Sequence, residues 1–148
     1  MSTPIAIDAN VIIRYLTGDD TAQAAAATGL FRAAQSGKVK LVVPTCVIQE
    51  CVYVLETIDN LDAAAIAPKL ISVLSLPNVH APDARWLFEA LQSYRVKNAD
   101  FGDALLCAFA QAEKCAVATF DKSIPKKFPE VPAHPPTEWQ PDFFDENK

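Results

Sequence analysis

Short hydrophobic runs alternate along most of the chain with longer amphipathic or alanine-rich segments. Runs without polar alternation are typical of strands covered on both faces, and they occupy residues 4–8, 41–44 and 116–120, with a shorter one at 78–81. Capping residues and helical spacing predict helices over about 21–36, 46–58, 62–75, 82–94 and 100–114. Short strands alternating with helices predict an α/β fold with a parallel sheet and right-handed crossovers.

The pattern changes near residue 128. Beyond Phe128 the chain carries five of its 11 prolines and, among acidic residues, the aromatic residues Trp139, Phe143 and Phe144. Prolines at this density exclude a regular helix. We therefore predict one domain over residues 1–128, and a Pro-rich aromatic tail over 129–148 that packs on the domain or on a partner, or is partly disordered.

Composition narrows the possible functions. Hydrophobic residues make up 51% of the chain and charged residues 21%, and the net charge is −5, which argues against a broadly basic nucleic-acid-binding surface but allows a local basic patch. No apolar run approaches the roughly 18 residues of a membrane span. The four cysteines form no CxxC pair, so we predict reduced, buried thiols in a cytoplasmic protein.

Acidic residues follow two of the predicted strands. Asp8 closes the first strand, and Asp121 comes one residue after the last one. Ligand sites in open α/β sheets lie beyond the carboxyl ends of the strands. We expect Asp8 and Asp121 to emerge at the same edge of the sheet.

Two further acidic residues belong to predicted helices. Glu50 shares a helical face with Val47 and Val54, where an unpaired charge is costly. Asp103 stands in the opening turn of a helix whose residues 104–110 are apolar on all sides, which predicts that this helix is buried. If the four carboxylates converge, they form a site for a hard divalent cation, Mg²⁺ or Mn²⁺, because their ligand atoms are all oxygen. Such a cation suits phosphate-ester chemistry.

Except for Glu50, the acidic residues also have purely structural interpretations. Asp8 and Asp121 fit turns, and Asp100 with Asp103 fits a helix cap, which is the role we prefer for Asp100. Asn10 and Thr119 are placed either to orient Asp8 and Asp121 or to stabilise turns. The cations that follow Asp121 in the sequence are candidates for contacts with the phosphates of a nucleic-acid backbone: Lys122, Lys126 and Lys127.

Four segments match a known family. They are IAIDANVIIRYL around Asp8, PTCVIQECVYVL around Glu50, ADFGDALLCAFA around Asp103 and VATFDKSIPK around Asp121. In this order and at these separations, the chain resembles PIN-domain proteins, and specifically the VapC-like toxin ribonucleases of type II toxin–antitoxin systems. The resemblance spans residues 5 to about 128 and leaves out the tail.

The resemblance implies a three-layer α/β/α domain around a central parallel sheet of four to five strands. It implies an endoribonuclease that uses Mg²⁺ or Mn²⁺ held by Asp8, Glu50, Asp103 and Asp121, with Asn10 and Thr119 at the polar positions that accompany them. We add Asp100 as a further supporting residue. The resemblance also implies a homodimer and a cognate antitoxin protein as partners.

Other functions remain open. A phosphatase of the haloacid-dehalogenase type needs a second Asp two residues after the first, and position 10 is Asn. A catalytically silent PIN-like module that binds proteins or RNA is the main alternative. Four intact carboxylates argue against that module, since an unused acidic cluster costs stability.

Overall fold

The computed structural model describes residues 3–140, so Pro141, Phe143 and Phe144 of the predicted tail lie outside the described residues. Within this range the chain carries five short strands, seven α-helices and a final 3₁₀ helix at Pro136–Trp139. The strands are β1 (Ile5–Ala6), β2 (Leu41–Val42), β3 (Val79–His80), β4 (Val117–Ala118) and β5 (Ala133–His134). The helices are α1 (Ala9–Thr17), α2 (Thr21–Gln35), α3 (Thr45–Thr57), α4 (Ala63–Leu74), α5 (Ala84–Lys97), α6 (Phe101–Glu113) and α7 (Ser123–Lys127).

The chain forms two compact units. Unit 1 spans Met1–Ala84 and unit 2 spans Arg85–Lys148. The predicted boundary between residues 128 and 129 stays a prediction; Ala133–His134, which follows it, forms a strand of unit 2.

Unit 1 contains a three-stranded parallel sheet in the order β1-β2-β3. Ile5 is opposite Leu41, and Leu41 is opposite Val79. α1 packs against both α2 and α3. The core of the unit consists of fully or almost fully buried side chains: Ile12, Phe31, Leu41, Val43, Ile48, Leu55, Ile66, Leu70 and Val73.

Unit 2 contains a two-stranded parallel sheet, in which Val117 of β4 is opposite Ala133 of β5. The indole N–H of Trp139 donates to the carbonyl oxygens of Val117 and His134, at 3.1 Å in each case, and so links the two strands. The buried residues of the unit include Leu87, Leu91, Tyr94, Phe101, Cys107, Ile124, Phe128 and Val131.

The predicted α/β fold with parallel strands is confirmed. The sequence analysis did not predict the helices α1 and α7 or the strand β5. α1 begins directly after β1 because Asp8 caps it, and it ends at Gly18, whose φ of 69° is left-handed. Glycine adopts that conformation without a steric penalty.

Two predictions about burial are wrong. Cys51 and Cys107 are buried and free, but Cys46 and Cys115 are exposed free thiols. α6, predicted to be buried all round, exposes Leu106 and Phe109, each with 42% of its surface accessible. Both side chains lie on the one face of α6 that does not contribute to the core.

No helix between residues 3 and 140 combines the length and the apolar character that a membrane crossing requires.

Candidate functional site

Asp8 stands between β1 and α1 in unit 1. Its side chain is exposed, and one carboxylate oxygen, Oδ1, accepts a hydrogen bond of 3.2 Å from the backbone N–H of Val11. This is the capping geometry that favours Asp at the start of a helix, since it satisfies an amide that has no partner in the helix. The interaction fixes where the carboxylate emerges, and no described residue donates to its other oxygen, Oδ2.

Glu50 lies in the middle of α3, and its side chain is exposed. The prediction that it shares the core-facing stripe of the helix is wrong. The residues that α3 buries are Ile48, Cys51, Val52 and Leu55, whereas Val47 and Val54 are only partly buried. The stripe is therefore rotated by about one residue from the predicted one, and Glu50 keeps its charge in contact with water.

The buried thiol of Cys51 is influenced by the charges of both Asp8 and Glu50. The Sγ atom of Cys51 lies 3.8 Å from the carbonyl oxygen of Ala9, the residue that follows Asp8. Burial, and after it the negative charges of Glu50 and then Asp8, raise the pKa of the Cys51 thiol from 9.0 to about 12. Both carboxylates are thus close enough to act on the same sulfur atom. We call Asp8 and Glu50 the first acidic pair.

A cleft of about 380 Å³ opens beside Asp8 in unit 1. Its polar lining includes Asn10 and Arg14, and the Nε–H of Arg14 donates to Oε1 of Gln23 at 2.9 Å. The hydrophobic part of its lining consists of Val11, Ala26, Ala27 and Leu30. Asn10 is therefore a neighbour of Asp8 in this cleft, as its position two residues away suggested.

Asp103 occupies the first turn of α6 in unit 2. The backbone N–H of Asp103 donates at 3.2 Å to Oδ2 of Asp100, which caps the helix as predicted. Partial burial, followed by the charges of Asp100 and Asp121, raises the pKa of the Asp103 carboxyl, while Lys127 lowers it. Like charges disfavour ionisation of a carboxyl in this way. Asp103 is consequently close to both of the other acidic residues.

Asp121 sits in a tight turn after β4. Its Oδ1 atom accepts hydrogen bonds from the backbone N–H of Ser123 at 2.8 Å and from the Ser123 hydroxyl at 2.7 Å. The hydroxyl and then the backbone hydrogen bond lower the pKa of Asp121. Thr119 accepts a bond of 3.0 Å from the Asp121 N–H through its Oγ1 atom. We call Asp103 and Asp121 the second acidic pair.

The three lysines proposed to contact RNA differ in their surroundings. Lys127 Nζ donates to the carbonyl oxygen of Asn98 at 3.0 Å, so one of its donors is engaged within unit 2. Lys122 and Lys126, with Ser123 and Pro125, line an open cleft of about 510 Å³. Neither Lys122 nor Lys126 takes part in an ion pair with a described residue.

The two acidic pairs belong to different units, and β1 and β4 belong to different sheets. The expectation that Asp8 and Asp121 share one sheet edge stays a prediction. Among residues 3–140, no group of three or more His, Cys, Asp or Glu side chains is arranged to hold a metal ion. What the described residues provide is a pair of carboxylates in each unit.

Sequence reasoning overlooked two features of these surroundings. One is the pairing of Arg14 with Gln23, whose nine-residue separation crosses from α1 to α2 and has no local signature. The other is Phe120, 83% exposed directly beside Asp121. A hydrophobic residue in a strand-like run is ordinarily assigned to the core, so only its position after the strand end could have indicated exposure.

The family model for the PIN domain matches residues 5–129, a segment that contains both acidic pairs. The chain belongs to the PIN-domain family. PIN domains are nuclease-type folds, which supports a general nuclease role for this chain. A comparison with curated proteins finds no match.

Proposed function

We propose that this PIN domain is a Mg²⁺- or Mn²⁺-dependent endoribonuclease that hydrolyses phosphodiester bonds in RNA. The observation that carries the proposal is that Asp8 and Glu50 both act on the Cys51 thiol, and that the charge of Asp121 acts on the half-buried Asp103, inside the segment that matches the family. None of the four forms an ion pair with a described Lys, Arg or His. Each pair therefore carries negative charge that a bound cation would neutralise.

The donor atoms fit the proposed cation. Mg²⁺ keeps several of its waters and is usually bound through one or two carboxylates together with substrate phosphates, so a pair of carboxylates is a sufficient protein contribution. Burial and neighbouring negative charges raise the pKa of Asp103. A bound divalent cation would offset these charges and favour the ionised carboxylate. We assign Asp8, Glu50, Asp103 and Asp121 as ligands, and each can act directly or through water.

Asp8, Glu50, Asp103 and Asp121 would hold the cation, which would stabilise charge on the phosphate and activate a water for in-line hydrolysis. The chain positions the ligands. The hydrogen bonds of Ser123 to Oδ1 of Asp121 hold that side chain in one orientation and leave Oδ2 without a described donor. Thr119 fixes the same turn through the Asp121 N–H, and Asp100 fixes the first turn of α6. Asn10, beside Asp8, is assigned to orienting that carboxylate.

The proposal extends to the biological role suggested by the resemblance. We propose that the protein is the toxin of a toxin–antitoxin pair, acts in the cytoplasm as a homodimer, and is inhibited by a cognate antitoxin. The net charge of −5 opposes approach to RNA, so the exposed Lys122 and Lys126 are assigned to phosphate contacts. Dimerisation would place two such sets of cations on one particle.

One observation favours the alternative of a catalytically silent PIN module that binds RNA or a protein. Within the described range, no three potential ligands are grouped to hold a metal ion. In that case the acidic residues would serve as caps, a role that Asp8 and Asp100 already perform.

Cleavage of a mixed pool of structured RNA tests the proposal. Purified protein is incubated with Mg²⁺, Mn²⁺ or EDTA, alongside Asp103→Asn and the matched control Glu113→Gln, an exposed acidic residue near the other end of α6. We expect cleavage with either metal, none with EDTA, loss in Asp103→Asn and full activity in Glu113→Gln. Absence of cleavage with both metals would favour the binding module.

A further inference from the structure

Phe120 is the most exposed large hydrophobic residue between residues 3 and 140, with 83% of its surface accessible. The backbone on both sides of it is fixed. The N–H of Thr119 donates to the carbonyl oxygen of His134 at 3.0 Å, and the N–H of Asp121 donates to Oγ1 of Thr119 at 3.0 Å. The exposed ring is thus carried by an ordered stretch of chain, where a binding partner loses little conformational entropy in meeting it.

Cations that are free to bind an anion lie next to Phe120 in the sequence. Lys122 and Lys126 line the open cleft of about 510 Å³ together with Ser123 and Pro125. The other lysines of this region are occupied. Lys97 forms an ion pair of 2.8 Å with Glu130, and Lys127 donates to the carbonyl oxygen of Asn98.

We propose that Phe120 is a stacking platform for one unpaired RNA base, and that Lys122 and Lys126 contact the phosphates of the same strand. This inference rests on the proposed ribonuclease function, because it supplies the substrate contacts that the acidic pairs lack. Proteins that bind single-stranded nucleic acid without sequence preference combine aromatic side chains that stack on bases with cations that contact the backbone. Phe120 and the two lysines, two and six residues after it, provide both elements on one segment of the chain.

The same chemistry predicts selectivity for unpaired RNA. Bases of a duplex are stacked on their neighbours and offer no free face to Phe120, whereas bases in loops and single strands do. The lysines contact phosphates, which every RNA has, so they contribute affinity that depends on salt concentration but not on sequence. Phe120 therefore makes binding selective for single-stranded over duplex RNA, and Lys122 and Lys126 attract RNA of either kind through its phosphates.

Binding measurements in EDTA separate this inference from the proposed reaction. A labelled ten-nucleotide single strand and the duplex of the same sequence are titrated with the wild-type protein, Phe120→Ala and the control Val96→Ala. Val96 is another exposed hydrophobic residue of the same unit, with 77% of its surface accessible. Thermal unfolding verifies that each variant is folded, which we expect because both side chains are on the surface.

Stacking of a base on an aromatic residue is worth about 1–3 kcal/mol, so Phe120→Ala should weaken single-strand binding about 5- to 150-fold. We expect Val96→Ala to bind like the wild type, and duplex binding to be weak and unchanged in Phe120→Ala. Lys122→Ala and Lys126→Ala should each reduce the salt dependence of binding by about one released counterion, whereas Lys114→Ala, at an exposed lysine that lines another cleft of the same unit, should not.

Several results would overturn the inference. These are single-strand binding that is unchanged in Phe120→Ala, equal losses for single strand and duplex, and no RNA binding by the wild type. A Phe120→Ala protein that keeps RNA binding but loses self-association would identify the ring as a protein contact instead. If the wild type cleaves RNA while Phe120→Ala binds and cleaves normally, only this inference fails; if Phe120-dependent binding occurs without metal-dependent cleavage, only the proposed reaction fails.

Discussion

Each acidic pair offers two carboxylate groups, but the surroundings of the two pairs differ. In unit 1, Asp8 and Glu50 are exposed and share a buried neighbour, the thiol of Cys51, whose pKa is raised by burial and by both charges. In unit 2, the negative charge of Asp121 acts on Asp103. Burial and like charge raise the pKa of Asp103, while hydrogen bonds from Ser123 lower that of Asp121.

The supporting sheets differ as well. Asp8 follows an edge strand of a three-stranded sheet, in which β2 carries the fully buried Leu41. Asp121 follows one strand of a pair, and a two-stranded sheet needs further packing to be stable. In unit 2, Trp139 contributes such packing, and its indole N–H donates hydrogen bonds to a carbonyl oxygen of each strand. Carboxylates can therefore follow a strand of a three-stranded sheet or a strand of a two-stranded sheet whose strands are linked by a side chain.

The largest expected effect concerns the thiols beside the two pairs. Because thiolate is the reactive form, a pKa of about 12 for Cys51 instead of 9.0 should slow its alkylation at pH 8 by about 1000-fold. Cys107, with a pKa raised to about 11 chiefly by burial, should react slowly too, and the exposed Cys46 and Cys115 rapidly. Iodoacetamide labelling followed by peptide mass spectrometry measures each rate.

Labelling in denaturant is the control, and all four cysteines should then react alike. Rapid modification of Cys51 in the folded protein would contradict the burial on which the description of the first acidic pair depends.

The next largest effect is on RNA cleavage by Asp8→Asn. Residues that merely support a metal ligand are typically worth about 10- to 100-fold in activity, so removal of a ligand charge should cost about 100-fold or more. Stability should change little, because Asn also caps helices well. Initial cleavage rates and denaturant unfolding measure the two effects.

Asp20→Asn is the matched control for this prediction. Asp20 caps α2, as Asp8 caps α1, by accepting a bond of 2.9 Å from the Gln23 N–H. It should retain wild-type activity. Equal activity of Asp8→Asn and Asp20→Asn would reduce Asp8 to a capping residue and leave only the second acidic pair as a candidate site.

A smaller effect is expected from Trp139→Phe, which tests whether unit 2 depends on individual contacts. The substitution keeps an aromatic ring next to His134 but removes the N–H donor to the carbonyls of Val117 and His134. Loss of such a hydrogen bond costs about 0.5–1.5 kcal/mol of the free energy of unfolding. Urea unfolding should show this loss, and a variant as stable as the wild type would show that the β4–β5 pairing does not need the indole.

The smallest effect concerns the ion pair between Lys97 and Glu130, at 2.8 Å in unit 2. Burial opposes ionisation of Glu130, but the hydrogen bond and charge of Lys97 prevail and lower its pKa below 4.5. The folded protein then binds this proton less readily than the unfolded chain, so the stabilisation is present above pH 4.5 and is lost as the pH falls through the lowered pKa. Since the pair is partly exposed, it should be worth less than about 1 kcal/mol.

Thermal unfolding of the wild type and Glu130→Gln between pH 7 and pH 3 checks the sign. The wild type should be slightly more stable at pH 7, and the difference should vanish at the acidic end. A difference that grows toward low pH would mean that Glu130 is not stabilised in its charged form.

Much of the fold was predictable because its local signals are strong. The helices predicted over about 21–36, 62–75 and 100–114 are present, capped by Asp20, Asp62 and Asp100, and the runs around residues 5, 41, 79 and 117 form parallel strands. The strand β5 was not predicted, because its two residues lie between prolines. Its pairing with β4 depends on a tertiary contact, and no local propensity reveals such a contact.

The candidate site was predictable in its residues but not in their environments. Glu50 was assigned to the core side of α3 because it shares a helical face with Val47 and Val54. The structure leaves those two valines only partly buried and buries Ile48 and Val52 instead. Both faces of α3 are rich in hydrophobic residues, so periodicity could not determine the buried face. The neighbourhood of Cys51 and the hydrogen bonds of Ser123 to Asp121 depend on three-dimensional placement and required the structure.

Binding of Mn²⁺ tests the central claim, that both acidic pairs serve as metal ligands, most directly. Isothermal titration calorimetry is carried out on the wild type, Asp8→Asn and Asp103→Asn, with Asp20→Asn and Glu113→Gln as controls. The account predicts that the wild type and the controls bind Mn²⁺ and that each of the other two variants binds it at least about 10-fold more weakly. A wild-type protein that binds no Mn²⁺, or variants that bind it as tightly as the wild type does, would contradict the claim.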